Sequence, residues 1–298
     1  MKKFLVWLLA FIITVLAAYY QRKTGPTHPR RIDATVNNRH YELRLVRSLG
    51  LDERPEIKLG ISDTSIKASL YFKRFRTDDE YSKVPFIYKT YPVNSFVMNR
   101  IFKMTEESGF YADIPVQPPA GKLQYYIEIT DNSGVHTVLK DQPVVIRFKG
   151  GVPAFVLLPH ILLMFIAMLF STGAGLAALF RMPEYKKYGL ITLILLTAGG
   201  MILGPVVQKY AFGAFWTGIP FGWDLTDNKT LIALLFWIAA VLANRTRKRP
   251  LLTLLASVVL LLVYSIPHSM FGSELDYSTN RVIQGILFLF IARINKKS

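Results

Sequence analysis

Residues 152–180 read VPAFVLLPHILLMFIAMLFSTGAGLAALF, without one Asp, Glu, Lys or Arg. An α-helix rises 1.5 Å per residue, so a ~30 Å hydrocarbon layer takes roughly 20 apolar residues to cross. An uncharged run longer than that decides the class of the chain: a helix of membrane-spanning type. Working outward, further apolar runs occupy 4–20, 188–207, 231–243, 251–267 and 282–292. The runs at 231–243 and 282–292 are short and reach spanning length only if 223–229 and 277–281 join them. The expected membrane part is therefore an α-helical bundle of about six transmembrane helices.

Between the first two runs lies a polar stretch of ordinary domain size. Segments such as IKASLYFKRF, KLQYYIEIT and VVIRFK are rich in β-branched and aromatic residues, and turn signals such as DNSG (131–134) separate them. About seven short strands predict an all-β sandwich, Ig-like or fibronectin-like in architecture, inserted between helices 1 and 2. The expected organisation is an anchor over 1–20, a β-sandwich over 25–150 and a five-helix bundle over 152–298. The anchor continues through Tyr19 and Tyr20 without a small-residue cleavage site, so it is expected to stay attached.

The net charge is +16, of which the 21–151 stretch carries only +6. Most of the excess is therefore loop charge, which argues against a nucleic-acid footprint. Twelve Lys and Arg residues cluster at 2–3, 181–187, 245–249 and 293–297, all on one side if every run crosses. Short cytoplasmic loops carry such an excess. Both termini are thus expected in the cytoplasm and the β domain on the outer, periplasmic side of a bacterial cytoplasmic membrane. There is no cysteine, which excludes disulfides, thiolate metal sites and covalent c-type haem attachment. No H-E-x-x-H, G-x-S-x-G or phosphate-cradling glycine motif occurs, and catalysis is not expected.

Two histidines lie in the membrane region, each after a proline: His160 in LPHILLMF and His268 in IPHSMFG. Both fall at the outer ends of their runs. Polar groups there either face water at a helix end or face the bundle interior and mark function. Between them runs FGAFWTGIPFGWDLTDNKT, residues 212–230. Phe212, Phe215, Trp216, Phe221 and Trp223 are candidate walls of an outer pocket, and Lys209 and Lys229 candidate partners for acidic groups. Asp224 and Asp227 open the next helix, where helix capping competes with a binding role. Gly199, Gly200, Gly204, Met164 and Met168 read as packing residues. His28, His40 and His136 read as surface or strand-face histidines. Glu274 and Asp276 read as a solvated turn.

This order of features, over residues 155–290, resembles haem-handling membrane proteins of cytochrome c assembly. Those carry a tryptophan-rich outer loop ending in Trp-Asp, flanked by helices that each present an outer histidine; here GWDLTDNKTLIALLFWI and PHILLMFIAMLF carry the likeness. The resemblance implies haem b held between His160 and His268, with a role in cytochrome assembly or electron transfer. The alternative is an accessory or scaffold subunit of a larger membrane complex, its β domain docking an extracytoplasmic partner. Expected partners are the lipid bilayer and other protein subunits, and no nucleic acid.

Overall fold

The structure, a computed structural model, describes residues 1–93, 96–268 and 272–283. In chain order, helix α1 (Lys2–Thr24) leads into strands β1 (Arg30–Val36), β2 (Arg39–Leu45), β3 (Ser48–Gly50) and β4 (Glu56–Leu59). β5 (Lys67–Arg74), β6 (Ser82–Pro85), β7 (Ile87–Pro92) and the short α2 (Phe96–Arg100) follow. Next come β8 (Glu106–Asp113), β9 (Lys122–Asp131), β10 (Gly134–Val138) and β11 (Val144–Lys149). The helices then run α3 (Ala154–Leu179), α4 (Tyr185–Leu196), a π-helical turn (Thr197–Leu203), α5 (Gly204–Phe212), α6 (Leu225–Thr246) and α7 (Pro250–Ser265). Two short strands, β12 (Glu274–Asp276) and β13 (Arg281–Ile283), end the described chain.

The expectation of about six membrane helices carrying one inserted sandwich is corrected: the fold is mixed α/β with several sheets. Among the described residues four helical stretches are long and apolar enough to cross a membrane: Lys2–Thr24, Ala154–Leu179, Tyr185–Phe212 and Leu225–Thr246. The expected fifth span is a 16-residue helix, Pro250–Ser265. At 1.5 Å per residue it is about 24 Å long, short of a ~30 Å layer. Proline opens it, and Ile266 is already extended ahead of Pro267. Of the expected sixth span, Arg281–Ile283 is a strand; residues 284–292, and Arg293, Lys296 and Lys297, lie outside the described residues.

The chain forms two compact units. The β unit comprises Thr27–Lys149 together with Leu275–Asn280, so the chain returns to it after the helices. Its strands form a two-stranded sheet (β1-β2), a three-stranded sheet (β4-β8-β7) and a larger sheet ordered β3-β11-β9-β5-β6, with β10 also on β9. That is more divided than a two-sheet sandwich. Inward residues alternate along strands such as β4, where Ile57 and Leu59 are fully buried. One core collects Leu43, Leu45, Ile57, Leu70, Ile127 and Phe148 from β2 to β11. The β1–β2 hairpin turns on Asn37 and Asn38, both at positive φ (47° and 59°), as a two-residue primed turn requires. In the returning segment the Tyr277 hydroxyl lies 2.9 Å from Lys122 O and 3.0 Å from Gln117 Oε1, and accepts from the Lys122 N–H.

In the helical unit α3 is central, packing on α1, α4 and α7. Small residues make this possible. A Cβ at Gly173 would stand 3.2 Å from the Trp7 ring of α1, and one at Gly175 would collide with Ser257 of α7. Trp7 meets Phe170 and Tyr188 edge-on, at 5.1 and 5.0 Å between centroids. The small-residue stripe STGAGLAAL is thus a contact face, as its composition predicts.

Candidate functional site

Residues from four elements of the helical unit line a cavity of about 190 Å³. His160 and Met164 come from α3, Gln208 and Phe212 from α5, Asp227 and Thr230 from α6, and His268 from beyond α7. Trp216 and Asp224 complete it from the intervening loop.

His160 owes its pose to the π-helical turn. There the Gly204 N–H reaches back five residues to Gly199 O, and the same carbonyl lies 2.8 Å from His160 Nδ1. Such single π turns recur at functional sites. A Cβ at Gly199 would stand 2.9 Å from Leu163 Cβ, and one at Gly200 2.9 Å from Thr230 Cγ2, so α3 and α6 approach closely only across glycine. A carbonyl oxygen only accepts, so Nδ1 of His160 carries the proton and Nε2 keeps its lone pair.

His268 is set the opposite way. Gln21, at the end of α1, donates from Nε2 to Tyr264 O at 2.9 Å and to His268 Nδ1 at 2.9 Å. The Tyr264 carbonyl fixes the amide with its NH₂ toward both groups, so His268 Nδ1 must accept. The proton of the neutral ring then lies on Nε2. One cavity thus holds an imidazole acceptor at His160 and an imidazole donor at His268.

The aromatic loop is shaped by the carboxylates that follow it. Gly213 ends α5 in the left-handed region, φ 89°, and its N–H bonds Lys209 O. Asp224 caps α6, accepting from the Thr226 N–H at 2.8 Å and the Asp227 N–H at 3.2 Å. Asp227 Oδ2 accepts from the Thr217 N–H at 2.6 Å and from its hydroxyl at 3.2 Å; that hydroxyl in turn accepts from Gln208 Nε2 at 2.6 Å. Asn228 Oδ1 takes the Ile219 N–H at 2.7 Å. Asp224, Asp227 and Asn228 therefore clamp the loop onto the first turn of α6, and Trp216 bonds within the loop through Nε1 to Ile219 O.

Of the residues singled out from the sequence, His160, His268, Phe212, Trp216, Asp224 and Asp227 meet in this cavity. Phe215, Phe221 and Trp223 do not line it and are 56%, 80% and 57% exposed. Lys209 is held by Gly213 O at 2.8 Å and lies over the Phe215 ring. Lys229 is buried and donates to Ile266 O at 2.6 Å, tying α6 to the end of α7. Neither lysine is placed as a partner for a porphyrin's carboxylates. His160 fits an iron ligand, since a metal-bound imidazole commonly donates its other N–H to a carbonyl. His268, protonated at Nε2 through Gln21, does not fit as a second. Sequence reading missed Gln21, Gln208, Thr217 and the Gly199 carbonyl. Gln21 alone left a signal, as the first polar residue after the Tyr19–Tyr20 pair.

Comparison with protein-family models, characterised proteins and solved structures finds no match to this chain.

Proposed function

We propose that the chain is an integral membrane binding protein, its helical unit holding a small neutral ligand between His160 and His268. The convergence of these two histidines, from opposite ends of the helical sequence, on one cavity with complementary proton placement carries this reading. The ligand head group donates to His160 Nε2 and accepts from His268 Nε2–H, as a hydroxyl does. Its apolar body meets Met164, Phe212 and Trp216. Asp224 and Asp227 in the same wall disfavour an anion. The cavity is smaller than the roughly 300–1,000 Å³ of drug-sized sites, which limits the head group to one ring or less. The charge bias of the short loops supports an outer-face position for this pocket, with the β unit in the same compartment and free to meet a protein partner.

A haem b held by His160 alone, which needs the cavity to open around the porphyrin, is the second reading, favoured by the His160 Nδ1 bond to Gly199 O. It would supply an iron centre for electron transfer or for binding a small gas. One experiment separates the two. Full-length protein is purified in mild detergent, its absorption spectrum recorded and its bound molecules extracted for mass spectrometry. The hydroxyl-ligand reading expects no Soret band and a small molecule lost from both His160→Ala and His268→Ala. A Soret band lost only in His160→Ala selects haem. Identical extracts and spectra from wild type and both variants would sink the pocket as a binding site.

A further inference from the structure

At the other end of α6 lies a second cavity, of about 630 Å³, between α4 and α6. Its mouth carries two cations: Lys186 in the first turn of α4 and Arg245 in the last turn of α6, both exposed. Leu190, Leu193, Val241 and Leu242 make its walls apolar, and no carboxylate is among the lining residues. Trp237, also in the lining, is fully buried, and its indole Nε1–H has no hydrogen-bond partner among the described residues. Its ring packs on Gly189, where a Cβ would stand 3.0 Å from Cζ3, one helical turn in from Lys186. Lys186 Nζ donates to Asn244 O at 2.7 Å, which leaves two of its three N–H groups for another acceptor.

Helices long enough to cross a membrane would set this cavity beside lipid. An occupant that complements it carries an anion at the two cations and hydrocarbon along the apolar walls. We propose that this cavity holds one anionic phospholipid. The phosphate sits at Lys186 and Arg245, and an acyl chain lies along Leu190, Leu193 and Val241, with the buried Trp237 ring behind them as a reporter of its proximity. Basic pockets between membrane helices bind anionic head groups by this charge complementarity. A zwitterionic lipid would bring its own cation against both side chains. A free phosphate would leave the apolar walls unused.

Full-length protein in phosphatidylcholine nanodiscs is titrated with phosphatidylglycerol carrying dibrominated acyl chains, while tryptophan fluorescence is followed. The difference between wild type and Trp237→Phe reports Trp237 alone. The Trp237 signal is expected to quench at a lipid fraction roughly tenfold or more below that needed with brominated phosphatidylcholine, the order two basic side chains confer. Arg245→Gln, at an exposed position, is expected to remove most of that preference, and Lys186→Gln with Arg245→Gln all of it. Circular dichroism and size exclusion confirm that each variant is folded. Equal quenching by the two lipids, or an undiminished preference in folded Arg245→Gln, would overturn the proposal. So would millimolar inorganic phosphate abolishing the preference at constant ionic strength, the mark of a free-phosphate site.

Discussion

Asn37 sits at φ 47° in the β1–β2 turn and engages its backbone N–H and both ends of its side-chain amide. Its N–H donates to Asp131 Oδ2 at 2.8 Å, its Nδ2 to Asp63 Oδ2 at 2.8 Å, and its Oδ1 accepts from the Asn132 N–H at 3.0 Å. Three turns of the β unit are thereby joined through one residue. Asn37→Ala keeps an unfavourable left-handed residue and loses the side-chain bonds, which costs roughly 1–3 kcal/mol; Asn37→Gly keeps the conformation and costs less. Hydrogen exchange of residues 30–45 in the full-length protein measures the difference. The same contacts set an acid limit. Hydrogen bonds from Asn37 and then Ser65 push the Asp63 carboxyl down to about 2, and the Asn37 N–H, with Ser133 and His136, holds Asp131 lower still. A carboxyl depressed in the folded state adds stability that is complete above its unfolded value of about 3.9 and vanishes as pH falls toward the folded one. These turns are expected to loosen below pH ~4, in the window those two values bound. In Asp63→Asn the exchange rates should change less between pH 5 and pH 3 than in wild type; an unchanged pH response would count against the assignment.

At the scale of the element, the loop after α5 shows what a sequence does and does not disclose. DLTDN at the start of α6 is legible as a cap, and Asp224 is one. Asp227 is not legible as a clamp, because its partner Thr217 lies ten residues back in an aperiodic loop. Phe215, Phe221 and Trp223 misled for another reason: aromatic residues satisfy a membrane interface as readily as a pocket wall. The π turn left no trace, since TAGG serves any close helix contact. Removing the carboxylate in Asp227→Ala strips Thr217 of its partner for both N–H and hydroxyl, and Trp216 loses the support of the rigid loop. The expected outcome is a red-shifted, more quencher-accessible tryptophan emission, with a local cost of roughly 1–3 kcal/mol. Asp224→Ala costs about 1 kcal/mol of helix capping and leaves Trp216 in place. If the two variants are indistinguishable in emission, the clamp is not what shapes the loop.

For the whole molecule, apolar run length and β-rich composition are legible, and both units reflect them. The number of helices and the layout of the sheets are not. Leu251 to Pro267 reads as a span by hydropathy, yet prolines at 250 and 267 limit it to 16 helical residues. Nothing between residues 268 and 283 announces strands, because ELD and RVI are too short to show alternation. The proposed topology has a direct check. The chain has no native cysteine, so single replacements report without background. Lys140→Cys in the β unit is expected to react with an impermeant maleimide on intact cells, and Lys187→Cys in the first turn of α4 only after lysis. The reverse pattern would invert the protein and move the histidine pocket to the cytoplasmic face.

Residues 275–280 belong to the β unit although some 125 residues of helices and loops separate them from Lys149. On a ribosome adding roughly 5–20 residues per second, the first part of that unit emerges about 6–25 s ahead of Tyr277. During that interval Ala120 O lacks the Leu275 N–H, and Lys122 lacks the Tyr277 hydroxyl that closes over it. Biogenesis therefore leaves one end of the central strand β9 uncovered until the helices have been made.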